Sequence, residues 1–151
     1  MHLTAITPIL NVRDIPASIR WFESLGWVRC WTYNDGGMMK NAADTDENGP
    51  ANFAAVGSGE VEIFLCRGVQ GGRDEPGRPI LPDGGEDPES NGTWMTWWVR
   101  TPAEVDQAHA LALKHGHTVI WPPTSEPWGV RECRVRHPDG HVFRISAPLH
   151  L

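Results

Sequence analysis

The chain is written twice, and no other feature restricts its fold as strongly. Residues 6–12 form an apolar run of strand length. Asp14 follows as a helix cap, with Pro16 tolerated in the first turn. Ile15, Ile19, Phe22 and Leu25 recur at helical spacing and predict a buried stripe, and Gly26 predicts the stop. Strand-like segments come next at 28–34, 52–56 and 60–66. The second copy opens with an aromatic and β-branched run at 94–99. Thr101-Pro102-Ala103-Glu104 reads as a capping box with Pro at the first helical position. Val105, Ala108 and Ala112 mark an inner face and Gly116 the end. Further strands are expected at 118–121, 131–136 and 141–146, the last two joined by the tight turn His137-Pro138-Asp139-Gly140. Each half therefore reads β-α-β-β-β, aligned at Val12-Arg13 and Val99-Arg100. One helix covers one face of such a unit's sheet. The other face stays open unless two units, of one chain or of two, close a curved sheet around a cleft.

Between the copies lies a stretch, 68–92, with seven Gly and four Pro, a composition that breaks regular structure. The expected organisation is a single domain of two modules, 1–67 and 93–151, joined by that acidic linker. Six acids stand against two arginines there, and residues 34–50 carry four acids against Lys40. The formal charge of −6 thus belongs to these two loops. The simplest expectation is that both are solvated; the sharper one is that one of them is a lid. A net-acidic chain without a Lys/Arg run predicts no nucleic-acid partner, and no apolar run approaches bilayer length. Met1-His2-Leu3 leads straight into a strand-like segment, so no signal peptide is expected. The three widely spaced cysteines make no CxxC pair and no disulfide framework, which favours a reducing cytoplasm.

The order Pro8-Ile9-Leu10-Asn11-Val12-Arg13-Asp14-Ile15, Trp21-Phe22, Leu25-Gly26, then Trp128-Gly129-Val130-Arg131-Glu132 and Asp139-Gly140-His141 resembles the vicinal oxygen chelate superfamily. That group includes glyoxalase I, bleomycin-resistance proteins, extradiol dioxygenases and methylmalonyl-CoA epimerase. The resemblance implies an α+β fold in which two βαβββ modules form a cupped mixed sheet, a homodimer, and a ligand site in the cup. Metal-using members place His or Glu on the first, fourth, fifth and eighth strands. Here those positions carry Thr7, Glu62, Trp94 and Arg144. Indole offers no free lone pair and a guanidinium is a permanent cation, so only Glu62 suits a metal. No cofactor is therefore expected. The seven histidines show no HExxH or Cys/His ligand cluster and read as surface and capping residues, although His137 and His141 flank one turn.

Strand alternation supplies the lining. With Val99 facing its helix, Met95 and Trp97 do too, while Trp94, Thr96 and Trp98 face the cup. The same parity places Thr7, Ile9 and Asn11, then Glu62, Phe64 and Cys66, then Val142, Arg144 and Ser146 on that side. An aromatic wall with few polar groups is what a small-molecule site needs. The candidate ligand-binding set is Thr7, Asn11, Glu62, Phe64, Trp94, Thr96, Trp98, Arg144 and, as a rim stacker, Trp128; no catalytic residue stands out. The competing expectation is packing: eight tryptophans in 151 residues, five of them between Trp94 and Trp128, can serve a core or an interface, and Arg144 can pair with Glu62. Two functions follow. One is metal-free sequestration of a planar aromatic or heterocyclic compound, as in bleomycin resistance, with the acidic loops attracting a cationic drug. The other is a glyoxalase-like lyase or isomerase, or a dioxygenase, with a divalent metal in a non-standard site.

Overall fold

A computed structural model describes residues 1–68, 70–75, 77–79 and 90–150. The chain divides into two compact units, Met1–Gly72 and Arg73–Leu151, each an α+β arrangement of one helix on one face of a mixed sheet.

In the first unit, β1 (Ile9–Asn11) leads to α1 (Ile15–Ser24). Asp14 caps α1 by accepting from the Ala17 N–H at 2.9 Å. Ile15, Ile19 and Phe22 are fully buried, each side chain contributing about 1.5–3 kcal/mol of hydrophobic stabilisation. After β2 (Val28–Asn34) come β3 (Gly37–Met38), a 3-10 turn at Lys40–Ala42, β4 (Thr45–Asp46) and β5 (Gly49–Pro50), then β6 (Phe53–Ser58) and β7 (Val61–Cys66). The sheet order is β1-β7-β6-β2-β3, with β1 parallel to β7 and the other pairs antiparallel. Leu10, Leu65 and Ala54 line up across it on the helix side and are buried.

The second unit repeats the plan: β8 (Trp94–Trp98), α2 (Pro102–Lys114), β9 (Thr118–Glu126), β10 (Val130–Arg136) and β11 (Val142–Pro148), in sheet order β8-β11-β10-β9. The expected capping box is present, with Thr101 and Glu104 each bonded to the other's backbone N–H. Val105, Ala112, Cys133, Val135, Phe143 and Ile145 form the core, and Trp97 stacks on Phe143 at 4.2 Å between ring centroids.

Several expectations need correction. The first strand, Ile9–Asn11, is shorter than the apolar run 6–12, and its bonds to β7 extend only as far as Pro8 and Val12. β9 runs on through Pro122 and Pro123 to Glu126; it lies at the sheet edge, where a missing N–H costs no ladder bond, and a bulge opposite Arg134 absorbs the irregularity. The 34–50 segment is largely exposed, as a solvated loop should be, yet it is tied back to β2. Asn34 is buried and donates to Asp46 Oδ1 at 2.7 Å and to the Gly49 carbonyl at 2.9 Å, while Asp44 pairs with Arg29 at 2.8 Å. Within the Gly/Pro-rich stretch, Asp74 is buried. It receives Arg136 Nη2 at 2.7 Å and the Asn91 N–H at 2.6 Å, and its own N–H bonds the Asp139 carbonyl. A segment expected to be solvated linker is thus tied into the second unit on both sides of residues 80–89, which lie outside the described residues. The expectation of a lid there falls largely on those residues.

Candidate functional site

Each unit has a sheet face turned away from its helix, and strand parity decides what stands there. In the first unit Phe64 pairs with Ile9 on one side and Ala55 on the other, and Ala55 pairs with Trp31. Trp31, Phe53 and Phe64 form a contiguous aromatic cluster, with centroids 5.2–5.7 Å apart. Glu62 is half-buried on the same face, opposite Gly57. A Cβ on Gly57 would press on Cys30 Sγ, so that thiol packs over the glycine. Burial and the nearby Glu62 carboxylate both raise the Cys30 pKa. Thr7 precedes β1 and is half-buried. Asn11 is buried, and its amide donates to the carbonyls of Gly68 and Gly71. Its work is therefore to hold the chain beyond β7. Cys66 is buried opposite Asn11 and Phe53.

In the second unit three rows cross the open face. Thr96 lies opposite Arg144, Arg144 opposite Arg134, and Arg134 opposite Trp121. Trp98, Ser146, Glu132 and Thr124 form one flanking row, and Trp94, Val142, Arg136 and Thr118 the other. Trp94 is 40 % and Trp98 66 % exposed. Positions i and i+4 of a strand lie roughly 13 Å apart. The two indoles accordingly flank the Thr96–Arg144 row rather than clamp one ring between them. Trp128 stands exposed at the β9–β10 turn.

Glu132, in one flanking row, joins that row to the central one, and sequence reasoning did not place it in the site. It is 1 % exposed. Its Oε2 accepts from Arg144 Nε at 3.0 Å, Arg144 Nη2 at 2.7 Å and Ser146 Oγ at 3.0 Å; its Oε1 accepts from Arg134 Nε at 3.0 Å. Burial pushes its pKa up, but the Arg144, Arg134 and Ser146 hydrogen bonds outweigh burial and hold the carboxyl below its ordinary value. Arg134 in turn lies over the rings of Trp94 and Trp121, at 5.9 and 5.4 Å. The acid that engages Arg144 is Glu132, two strand positions from Arg134. The period-2 pair Glu132/Arg134 on a strand opposite Arg144 and Ser146 was the available signal. Trp31 and Phe53 were likewise recoverable from parity with Phe64.

His137 and His141 are buried, not surface or capping residues. Their rings lie 5.7 Å apart, and each Nδ1 accepts a backbone N–H, from Asp139 and Thr93 respectively, both at 3.0 Å. Burial, then His141 and His117, lower the His137 pKa to about 3. Burial pushes the Cys133 thiol up to about 12, which leaves it inert. Of Thr7, Glu62, Trp94 and Arg144, only Glu62 carries a carboxylate. Among the described residues no group of three or more His, Cys, Asp or Glu side chains is placed to hold a metal.

The duplicated βαβββ plan with open aromatic faces is that of a known class. The sequence model of the Glyoxalase/Bleomycin resistance protein/Dioxygenase superfamily matches residues 2–145, and the chain belongs to that superfamily. A search of curated proteins found no match. Among solved structures, the chain is similar to a glyoxalase/bleomycin resistance protein/dioxygenase from Nocardioides, at 20 % identity and a TM-score of 0.63, covering 99 % of this chain and 87 % of that one. It is similar to a bleomycin resistance determinant encoded on the transposon Tn5, at 15 % identity and 0.61, covering 99 % and 100 %. It is also similar to a lactoylglutathione lyase from Agrobacterium tumefaciens, at 16 % identity and 0.60, covering 96 % and 94 %. At these identities the likeness establishes the fold.

Proposed function

We propose that this protein binds a planar aromatic or heterocyclic small molecule and sequesters it without a metal and without making or breaking a bond. The observation that carries this reading is the exposure of Trp94 and Trp98 on the open sheet face that also carries Arg144. Exposed indoles on a rigid strand offer large, flat contact area at low entropic cost, each stacking contact contributing about 1 kcal/mol beyond area burial. Where the ligand is a drug, protection follows from mass action: a homodimer in the cytoplasm keeps the compound from its target. No helix among the described residues is long and apolar enough to cross a membrane.

The test is tryptophan fluorescence titrated with a panel of planar ligands. Trp94→Ala is expected to weaken binding by about five- to tenfold, equivalent to the roughly 1 kcal/mol of one stack; unchanged affinity would remove the stacking role. One observation favours a second reading, a metal-dependent lyase, isomerase or dioxygenase: Glu62 stands half-buried on the first unit's open face with no ion-pair partner among the described residues. Metal analysis after exhaustive dialysis separates the two. Stoichiometric Ni, Zn, Fe or Mn retained by the protein would overturn the metal-free proposal.

A further inference from the structure

β1 uses only part of a strand-like run. The apolar segment 6–12 has the length of one strand, yet its bonds to β7 stop at Pro8. Before that point the chain is bonded to nothing: among the described residues, 1–7 make no hydrogen bond and no ion pair. Residues 1–6 are exposed. Met1, Ile6 and Leu3 are the three most exposed large apolar side chains of the described chain. Single apolar residues on a surface are ordinary, but three gathered on one unbonded arm mark a contact surface.

The sheets leave one edge open to match it. Edge strands invite pairing with another chain, and proteins blunt them by shortness, proline, charge or a bulge. β3, β4 and β5 are two residues long and β1 three. β9 carries Pro122, Pro123 and its bulge. β8 has none of these devices. It runs for five residues, Trp94-Met95-Thr96-Trp97-Trp98, without proline or charge and in unbroken register with β11. Among the described strands it is bonded on one side only, and Trp94, Thr96 and Trp98 are exposed.

We infer that the arm, residues 2–7, adds as a strand to the outer edge of β8 in a second copy of this chain. The occupant follows from complementarity. The arm is an extended stretch whose main-chain N–H and C=O groups lack partners, and β8 is an unprotected edge of nearly the same length. Each copy carries one arm and one such edge. Two copies therefore satisfy both by exchange, and the assembly closes as a two-fold dimer instead of growing into a filament. Main-chain bonds supply the pairing, while Leu3 and Ile6 leave water for apolar surface. The inference takes up the homodimer of the reading above and not its ligand, so it stands or falls independently of what the open faces bind.

The experiment is sedimentation velocity over a dilution series, with amide hydrogen exchange on the same samples and no ligand. The wild-type chain is expected to be a dimer in which the amides of residues 3–7 are protected, the protection being lost on dilution to monomer. Two full-length arm variants, Leu3→Asp/Ile6→Asp and Thr4→Pro/Ala5→Pro, are each expected to raise the dimer dissociation constant by about tenfold or more. Neither replaces a bonded or buried residue, so both are expected to keep the fold, read as an unchanged far-UV circular dichroism spectrum. Thr96→Lys places a charge on the exposed side of β8 and is expected to weaken the dimer likewise. A wild-type monomer overturns the inference, whatever the state of the arm. A dimer indifferent to both arm variants overturns it as well, because its interface then lies elsewhere. A dimer weakened by the arm variants but not by Thr96→Lys overturns the assignment to β8.

Discussion

Glu132 accepts four hydrogen bonds from three side chains while almost wholly withdrawn from solvent. Replacing it with Ala removes the carboxylate to which both Arg134 and Arg144 donate. The expected loss lies near the lower end of the roughly 3–5 kcal/mol typical of breaking a buried pair, because both guanidiniums reach some water. A urea unfolding curve reads it directly. His137 governs a second residue-scale behaviour. Its pKa falls from 6.5 to about 3 on folding, so between those values the unfolded chain binds a proton that the folded chain does not. Stability is therefore full above about pH 6.5 and declines as pH falls, by up to about 1.4 kcal/mol per unit. Asp74 and Glu132, whose carboxyls are held below their ordinary values despite burial, add to the loss below about pH 4.5. Unfolding midpoints measured from pH 8 to pH 4 should fall steadily below 6.5; a flat profile down to pH 5 would show that the folded protein admits the proton. Neither residue's role was legible beforehand. Glu132 in a strand and His137 in a turn look like solvent-facing residues until their neighbours are known.

At the scale of elements, local chemistry was a good guide. Asp14, the Thr101/Glu104 box and Gly26 and Gly116 bracket both helices where expected, because caps act over three or four residues that the sequence lists side by side. The turn 137–140 also forms as expected, yet it has a second role. Gly140 has φ +90, and a Cβ there would run into Asp74, whose N–H bonds the Asp139 carbonyl. Gly140→Ala thus combines left-handed strain with a clash against a buried ion pair. A Tm several degrees lower is expected, and an unchanged Tm would mean that the strap carrying Asp74 is dispensable. The short strands β3, β4 and β5 escaped notice because two-residue bridges have no periodicity of their own; Asn34 and Arg29, residues of β2, hold that segment in place.

For the whole molecule, the duplication predicts two comparable cores. Phe22 in the first unit and Phe143 in the second are both fully buried. Truncating either to Ala should cost roughly 3–5 kcal/mol, read as a reduced urea midpoint. A loss in one variant only would show that the two units contribute unequally to stability. The α+β class, the repeated β-α-β-β-β order and the inward and outward parity of β8 and β11 were determined by sequence alone, since each follows from hydrophobic period and capping along a continuous stretch. The tertiary structure decided which charges meet. Glu132 and Arg144 are twelve positions apart, Asp74 and Arg136 sixty-two, and no local pattern pairs them. An ion pair is defined by strand register and burial, and those exist only once the sheet has formed.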